Sequence, residues 1–156
     1  MSEKHVMSSV GDRPHTNSNF LVDLGFGDPQ SPSSGFCEVI FPEFRIDSLE
    51  RAAPLHPDRV PDRRDIGNRC RYLILRRGAS GMLDLYGWWD KARKGKAPQQ
   101  RTVKVALLAE DRSTIVLTWY FRRARPVTLS YSPLNALQGA VLIETIELDF
   151  ETMEMR

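Results

Sequence analysis

Two stretches of strict alternation constrain this chain more than anything else in it. Side chains along a strand point to opposite faces in turn. In the first stretch Ile115, Leu117, Trp119 and Phe121 therefore share one face. In the second, Ile146, Leu148 and Phe150 share a face, with Thr145, Glu147 and Asp149 opposite. Between them lie the Arg-rich segment Arg122, Arg123 and Arg125, then Pro126 and Leu134-Asn135-Ala136. Two long amphipathic strands are a sheet-forming pair, not a catalytic loop.

Further strands extend the pattern. Phe20, Val22 and Leu24 fall on one face of a first strand, and Phe36 to Phe41 form a second that Pro42 ends. Arg69 to Arg77 carry apolar residues on both faces, which predicts a central position. Arg101 to Ala109 turn through Glu110-Asp111-Arg112-Ser113 into the strand at Ile115, which predicts a β-hairpin. One helix is expected over Met82 to Lys94, capped by Ser80 and stopped by Gly95 and Pro98. Its apolar stripe runs Met82, Leu85, Trp88, Trp89 and Ala92, so both tryptophans are expected to anchor it. The core anchors are accordingly Leu85, Trp88, Trp89, Trp119 and Phe121. Residues 1–17 are polar and read as a flexible arm, and residues 18–156 as a single domain.

The segment Asp47 to Asn68 has no period, three prolines, and alternating charges. A loop this long in a compact domain is usually functional or disordered. Arg59, Asp62, Arg63, Arg64 and Asp65 are its contact candidates, since mixed charges can mate with another chain.

Composition excludes several functions. Lys and Arg number 22 against 20 acidic residues, too balanced to argue for nucleic acid. No apolar run approaches the roughly 20 residues of a membrane helix, and no signal peptide is visible. The three histidines are not spaced from cysteines or carboxylates as metal ligands. No phosphate loop or nucleophile elbow is present. Glu144 and Glu147, three apart on a strand, point to opposite faces and make no carboxylate pair. No enzyme, metal site or cofactor is expected. Cys37 and Cys70, both in predicted strands, read as reduced, buried thiols, with a disulfide as the alternative.

Trp119-x-Phe121, Ala124-x-Pro126, Leu134-Asn135-Ala136 and Ile143-Glu144-Thr145-Ile146-Glu147-Leu148 resemble the tail-tube proteins of contractile phage tails and contractile injection systems. Asn19 to Asp23, Phe36 to Val39, Leu75-Arg76-Arg77-Gly78 and Leu83 to Trp89 add to the resemblance in the same order. The chain departs at Ile40-Phe41-Pro42, where such proteins carry a small residue and a glycine, and in its proline-rich long loop. The resemblance implies a mainly β (α+β) fold of two packed antiparallel β-sheets forming a barrel-like sandwich, with one flanking α-helix. It implies a structural subunit of an inner tube, built as stacked homo-hexameric rings, either as the repeating subunit or as a specialised ring. The implied partners are further copies, sheath and baseplate proteins, and a lumen cargo or tape-measure protein. The implied location is the bacterial cytoplasm during assembly, then a virion tail or an injection particle. A monomeric β-barrel that binds nucleic acid through Arg122, Arg123 and Arg125 is the competing reading; a solvated strand end is the simpler account of those arginines.

Overall fold

One strand decides the architecture. In the computed structural model, which describes residues 14–26, 35–46, 72–95 and 99–156, the strand Ile115–Tyr131 runs for 17 residues. Fully straight it would span roughly 55 Å, far more than its neighbours can cover singly. The elements in chain order are β1 (Phe20–Asp23), β2 (Phe36–Ile40), β3 (Leu73–Gly78), α1 (Asp84–Arg93), β4 (Arg101–Leu108), β5 (Ile115–Tyr131), β6 (Ile143–Asp149) and β7 (Thr152–Met155).

Different partners serve the two halves of β5. On one edge, β4 pairs with it from Ile115 to Ala124. On the other, β7 covers Trp119 to Arg122 and β6 covers Arg125 to Tyr131. β1 extends the sheet beyond β4, while β3 and then β2 extend it beyond β6, all antiparallel. The result is a single seven-stranded antiparallel sheet, not closed into a barrel. The two separate sheets expected from the resemblance are thus joined through β5.

The joint has a visible cause. The pairing of β5 shifts by one residue opposite Arg101 to Val103 and again between Pro126 and Thr128. Both shifts place the extra residue on β5, and Arg123, inside the first of them, has φ of 53°. Bulges bend a strand and raise its twist, and a proline inside a strand is tolerated at such places. The segment expected to end a strand is instead its bend.

Both halves supply one core. Val22, Val103, Val105 and Phe121 come from the first half, and Leu73, Leu75, Ile146 and Leu148 from the second. Phe121 meets Phe150 edge-on at 4.9 Å, and Trp119 stacks at a tilt on Phe41 at 4.8 Å. α1 contributes Leu85 and Trp88. The helix is shorter than expected: Leu83, with no side-chain cap, stands at its start, and Ser80 does not cap it. Met82 lies outside the helix and is exposed. At the other end Gly95 takes φ of 70°, where the chain leaves the helix.

Cys37 is exposed rather than buried, because β2 is the last strand of the sheet and, among the described strands, pairs with β3 alone. Cys70, Pro98 and the loop over residues 47–68 lie outside the described residues.

Gly25 makes the first turn after β1. It has φ of 72°, its amide is held by Asp23 Oδ1 at 2.8 Å, and an added Cβ would stand 2.7 Å from the Thr102 carbonyl oxygen. Gly25→Ala is therefore expected to cost about 1–3 kcal/mol through backbone strain and collision. Urea unfolding measures it, and an unchanged midpoint would show that the turn relaxes freely.

Candidate assembly interface

The chemistry that self-assembly needs is geometric: strand edges to pair, apolar surface to cover, and rigid supports behind both. Unpaired strand edges are a hazard for a protein that stays alone. Among the described residues, β2 closes one end of the sheet order and β1 the other. The second half of β5 also has one open side, since β4 reaches only to Ala124.

The connection between β5 and β6 is the most exposed apolar feature. Leu134, Leu137 and Val141 are 86%, 96% and 71% exposed. The loop is nevertheless tied at its neck. The Ser132 amide donates to the Ile143 carbonyl at 2.9 Å, and the Ile143 amide to Ser132 Oγ at 2.8 Å. At its tip Asn135 Oδ1 accepts from the Leu137 amide at 2.9 Å, a side chain mimicking a backbone turn. Ala79 N–H holds the Leu142 carbonyl at 2.8 Å, fixing the loop to the end of β3.

Behind this loop sits a buried ionic cluster that the sequence reading passed over. Arg77 on β3 is 1% exposed. Its guanidinium grips both carboxylate oxygens of Asp84 in the first turn of α1, with Nη1 donating to Oδ2 at 3.1 Å and Nη2 to Oδ1. Nη2 also donates to Glu144 Oε1 on β6 at 3.2 Å, and the ring of Phe36 lies 5.4 Å away. Burial works to raise the Asp84 carboxyl, but the hydrogen bond and charge of Arg77 outweigh it and hold the group below its usual range. For Arg77 burial opposes the charge, and the two carboxylates overcome that and raise it. One guanidinium thus ties a strand, a helix and a second strand together.

The Arg-rich segment is paired rather than open. Arg122 holds Glu154, Arg123 holds Glu151, and Arg125 holds Asp149 at 3.2, 3.4 and 3.1 Å. Arg76 likewise holds Glu38 at 3.0 Å. Exposed pairs of this kind contribute little stability, but they leave few free cations for phosphates.

The sequence-derived anchors separate in the structure. Leu85, Trp88 and Phe121 are buried, whereas Trp89 and Trp119 are half-buried. Trp88 Nε1 donates to the Gln99 carbonyl, and its ring meets Phe26 edge-on at 5.6 Å. Trp89 lies instead beside Tyr86 and under the guanidinium of Arg93. Arg59, Asp62, Arg63, Arg64 and Asp65 lie outside the described residues. No cluster of three or more metal-ligating side chains occurs among the described residues.

Similar folds occur in contractile particles. A chain of the PVC extracellular contractile injection system, from its sheath/tube terminator in the extended state, matches with a TM-score of 0.69 at 16% identity, covering 94% of this chain and 99% of that one. A chain of the anti-feeding prophage tube-terminating cap matches at 0.68 and 14%, covering 99% of both. A chain of the anti-feeding prophage baseplate matches at 0.60 and 23%, covering 92% and 96%. At these identities the likeness establishes the fold. No curated protein matches the chain. The family model described as T4-like virus tail tube protein gp19 matches residues 17–154. The chain belongs to that tail-tube family, a family of structural tube proteins.

Proposed function

We propose that copies of this chain associate head to tail into homo-hexameric rings that stack as the inner tube of a contractile tail or injection particle. The observation that carries it is the pair of open edges on the second half of the sheet. That half runs β5, β6, β3, β2, with β2 exposed at one end and β5 at the other. Four antiparallel strands are an even number, so β2 of one copy meets β5 of the next in antiparallel sense. A ring of such contacts closes this half of the sheet into the barrel that a single copy lacks, and removes these two edges.

Sheath and baseplate proteins are the partners, as in the PVC sheath-tube complex and the anti-feeding prophage baseplate that supply similar folds. The chain serves as the repeating subunit or as a ring that begins or ends the tube, with cargo or a tape-measure protein in the lumen. Its place is a phage-tail or injection-system particle, assembled in the bacterial cytoplasm. The role is structural and needs no cofactor.

Purified protein is expected to form rings or tubes by native mass measurement and negative-stain microscopy, alone or nucleated by baseplate protein. Arg59, Asp62, Arg63, Arg64 and Asp65 supply charge contacts between copies, where Arg engages carboxylates through two hydrogen bonds. The Arg63→Glu, Arg64→Glu double variant is expected to stay folded and monomeric. Normal tubes from it would remove that loop from the interface; a strict monomer of the parent chain, with baseplate and sheath proteins present, would sink the tube itself.

A further inference from the structure

The surface holds an apolar projection and, elsewhere, a recess with an apolar wall and a polar rim. The projection is the β5–β6 loop, whose Leu134, Leu137 and Val141 are almost wholly in water. It is pinned at its neck and tip by the hydrogen bonds of Ser132 and Asn135, so it cannot swing inward to hide them. Residues 132–142 contain no charged side chain. Ordered apolar surface of this kind marks an interaction site.

The recess opens where the two ends of the sheet approach. Phe20 of β1, Val39 of β2, Phe41, Val105 and Leu107 of β4, and Trp119 of β5 supply the apolar wall of a cavity of about 630 Å³, whose rim is the polar stretch His15 to Ser18 with Cys37 and Glu38. Its volume is that of a site for a small ligand or a few side chains. Trp119 lies near the start of β5 and the projection follows its end, on the far side of the two bulges. The exposure of the three apolar side chains shows that the projection does not reach the recess of its own chain.

We infer that Leu134, Leu137 and Val141 of one copy seat in the recess of a second copy. This contact rests on the tube reading, and it adds which surfaces meet apart from the strand edges. A projection and a recess at different places on one chain make a head-to-tail contact, the type that propagates around a ring or along a stack. A second copy is the fitting occupant because the family is one of tube proteins, in which copies of one chain form the wall. The loop brings no charge to the recess, and the carboxylate at its rim, Glu38, is already paired with Arg76 at 3.0 Å.

Cys37 lines the recess and is exposed, which provides the test. In a Cys70→Ser background, Leu137→Cys protein is assembled and mildly oxidised. A ladder of covalent multimers is expected, reversed by reductant and lost when Cys37→Ser is added. Leu137→Asp, at a fully exposed site that leaves the fold intact, is expected to raise the concentration needed for assembly about tenfold or more. Tubes that form in the microscope without the 137–37 link overturn the contact and leave the tube reading standing. Absence of any assembly by the parent chain overturns both. A Val10→Cys thiol that captures Cys37 within one chain, in place of the loop, would give the recess to the chain's own first residues and likewise overturn the inference.

Discussion

Arg77→Met is expected to lower stability by about 3–5 kcal/mol, because removing one partner leaves buried charge uncompensated. Two carboxylates depend on this guanidinium: Glu144, 5% exposed at its side chain, and Asp84, 19% exposed. Chemical unfolding of the monomer measures the loss. The pH dependence carries the diagnostic sign. In the parent chain the Asp84 pKa is lowered in the folded state. Its contribution is therefore present above the unfolded carboxylate value near 4 and is lost as pH falls through the lower folded value. In Arg77→Met the Asp84 carboxyl keeps its burial and loses its cation, so desolvation raises it. That variant should become relatively more stable as pH falls toward about 4, where the parent's Asp84 contribution is still constant and from which it then declines. Adding Glu144→Gln to Arg77→Met should recover part of the loss. A loss below about 1 kcal/mol, the range of an exposed pair, would mean that water reaches the cluster.

The second large effect separates the two adjacent tryptophans. Trp88→Ala is expected to cost about 3–5 kcal/mol, as deletion of a large buried aromatic does. It empties the space under α1, removes the edge contact with Phe26, and leaves the Gln99 carbonyl without its indole donor. Trp89→Ala is expected to cost about 1 kcal/mol, the centre of the range for single substitutions. Its ring is half in water beside Tyr86 and Arg93. Thermal unfolding of both variants gives the ranking. Equal losses would show that Trp89 packs as deeply as its neighbour.

That difference also shows where sequence reasoning stops. Leu85, Trp88, Trp89 and Ala92 recur at helical spacing, so the stripe was legible, and the helix forms where it was expected. A stripe this wide does not say which of two neighbouring tryptophans points inward; the sheet beneath α1 settles that. Alternation revealed the strands containing Phe121 and Ile146, and the hairpin at Asp111. It missed the continuity of β5, because Arg123 with positive φ, Pro126 and two extra residues all break the period of two. In the sequence Arg77 stands at a basic strand end before Gly78, and Glu144 as a strand carboxylate facing away from Glu147. Each is costly to bury alone, and only the pairing of β3 with β6 brings Arg77 opposite Glu144. The exposed loop at Leu134 and Leu137 was legible as a family motif, not as an unpartnered surface, since exposure is a property of the fold.

The single sheet threaded by β5 also sets the order of events while a copy is being made. The hairpin of β4 and β5 and the pairing of β5 with β6 and β7 join near neighbours in sequence. β1 must instead find β4, with Phe20 opposite Leu107, and β3 must find β6, with Leu73 opposite Leu148. Long-range pairings of this kind fold slowly. During synthesis β1 waits on the order of ten seconds for its partner to be translated. β1 and β2 have only four and five residues, and short strands are poor templates for wrong pairing. The final strand in chain order, β7, comes directly after β6. A copy therefore covers both edges of the first half of β5 only after β6 has been translated, since β7 follows β6 and pairs back onto Trp119 to Arg122.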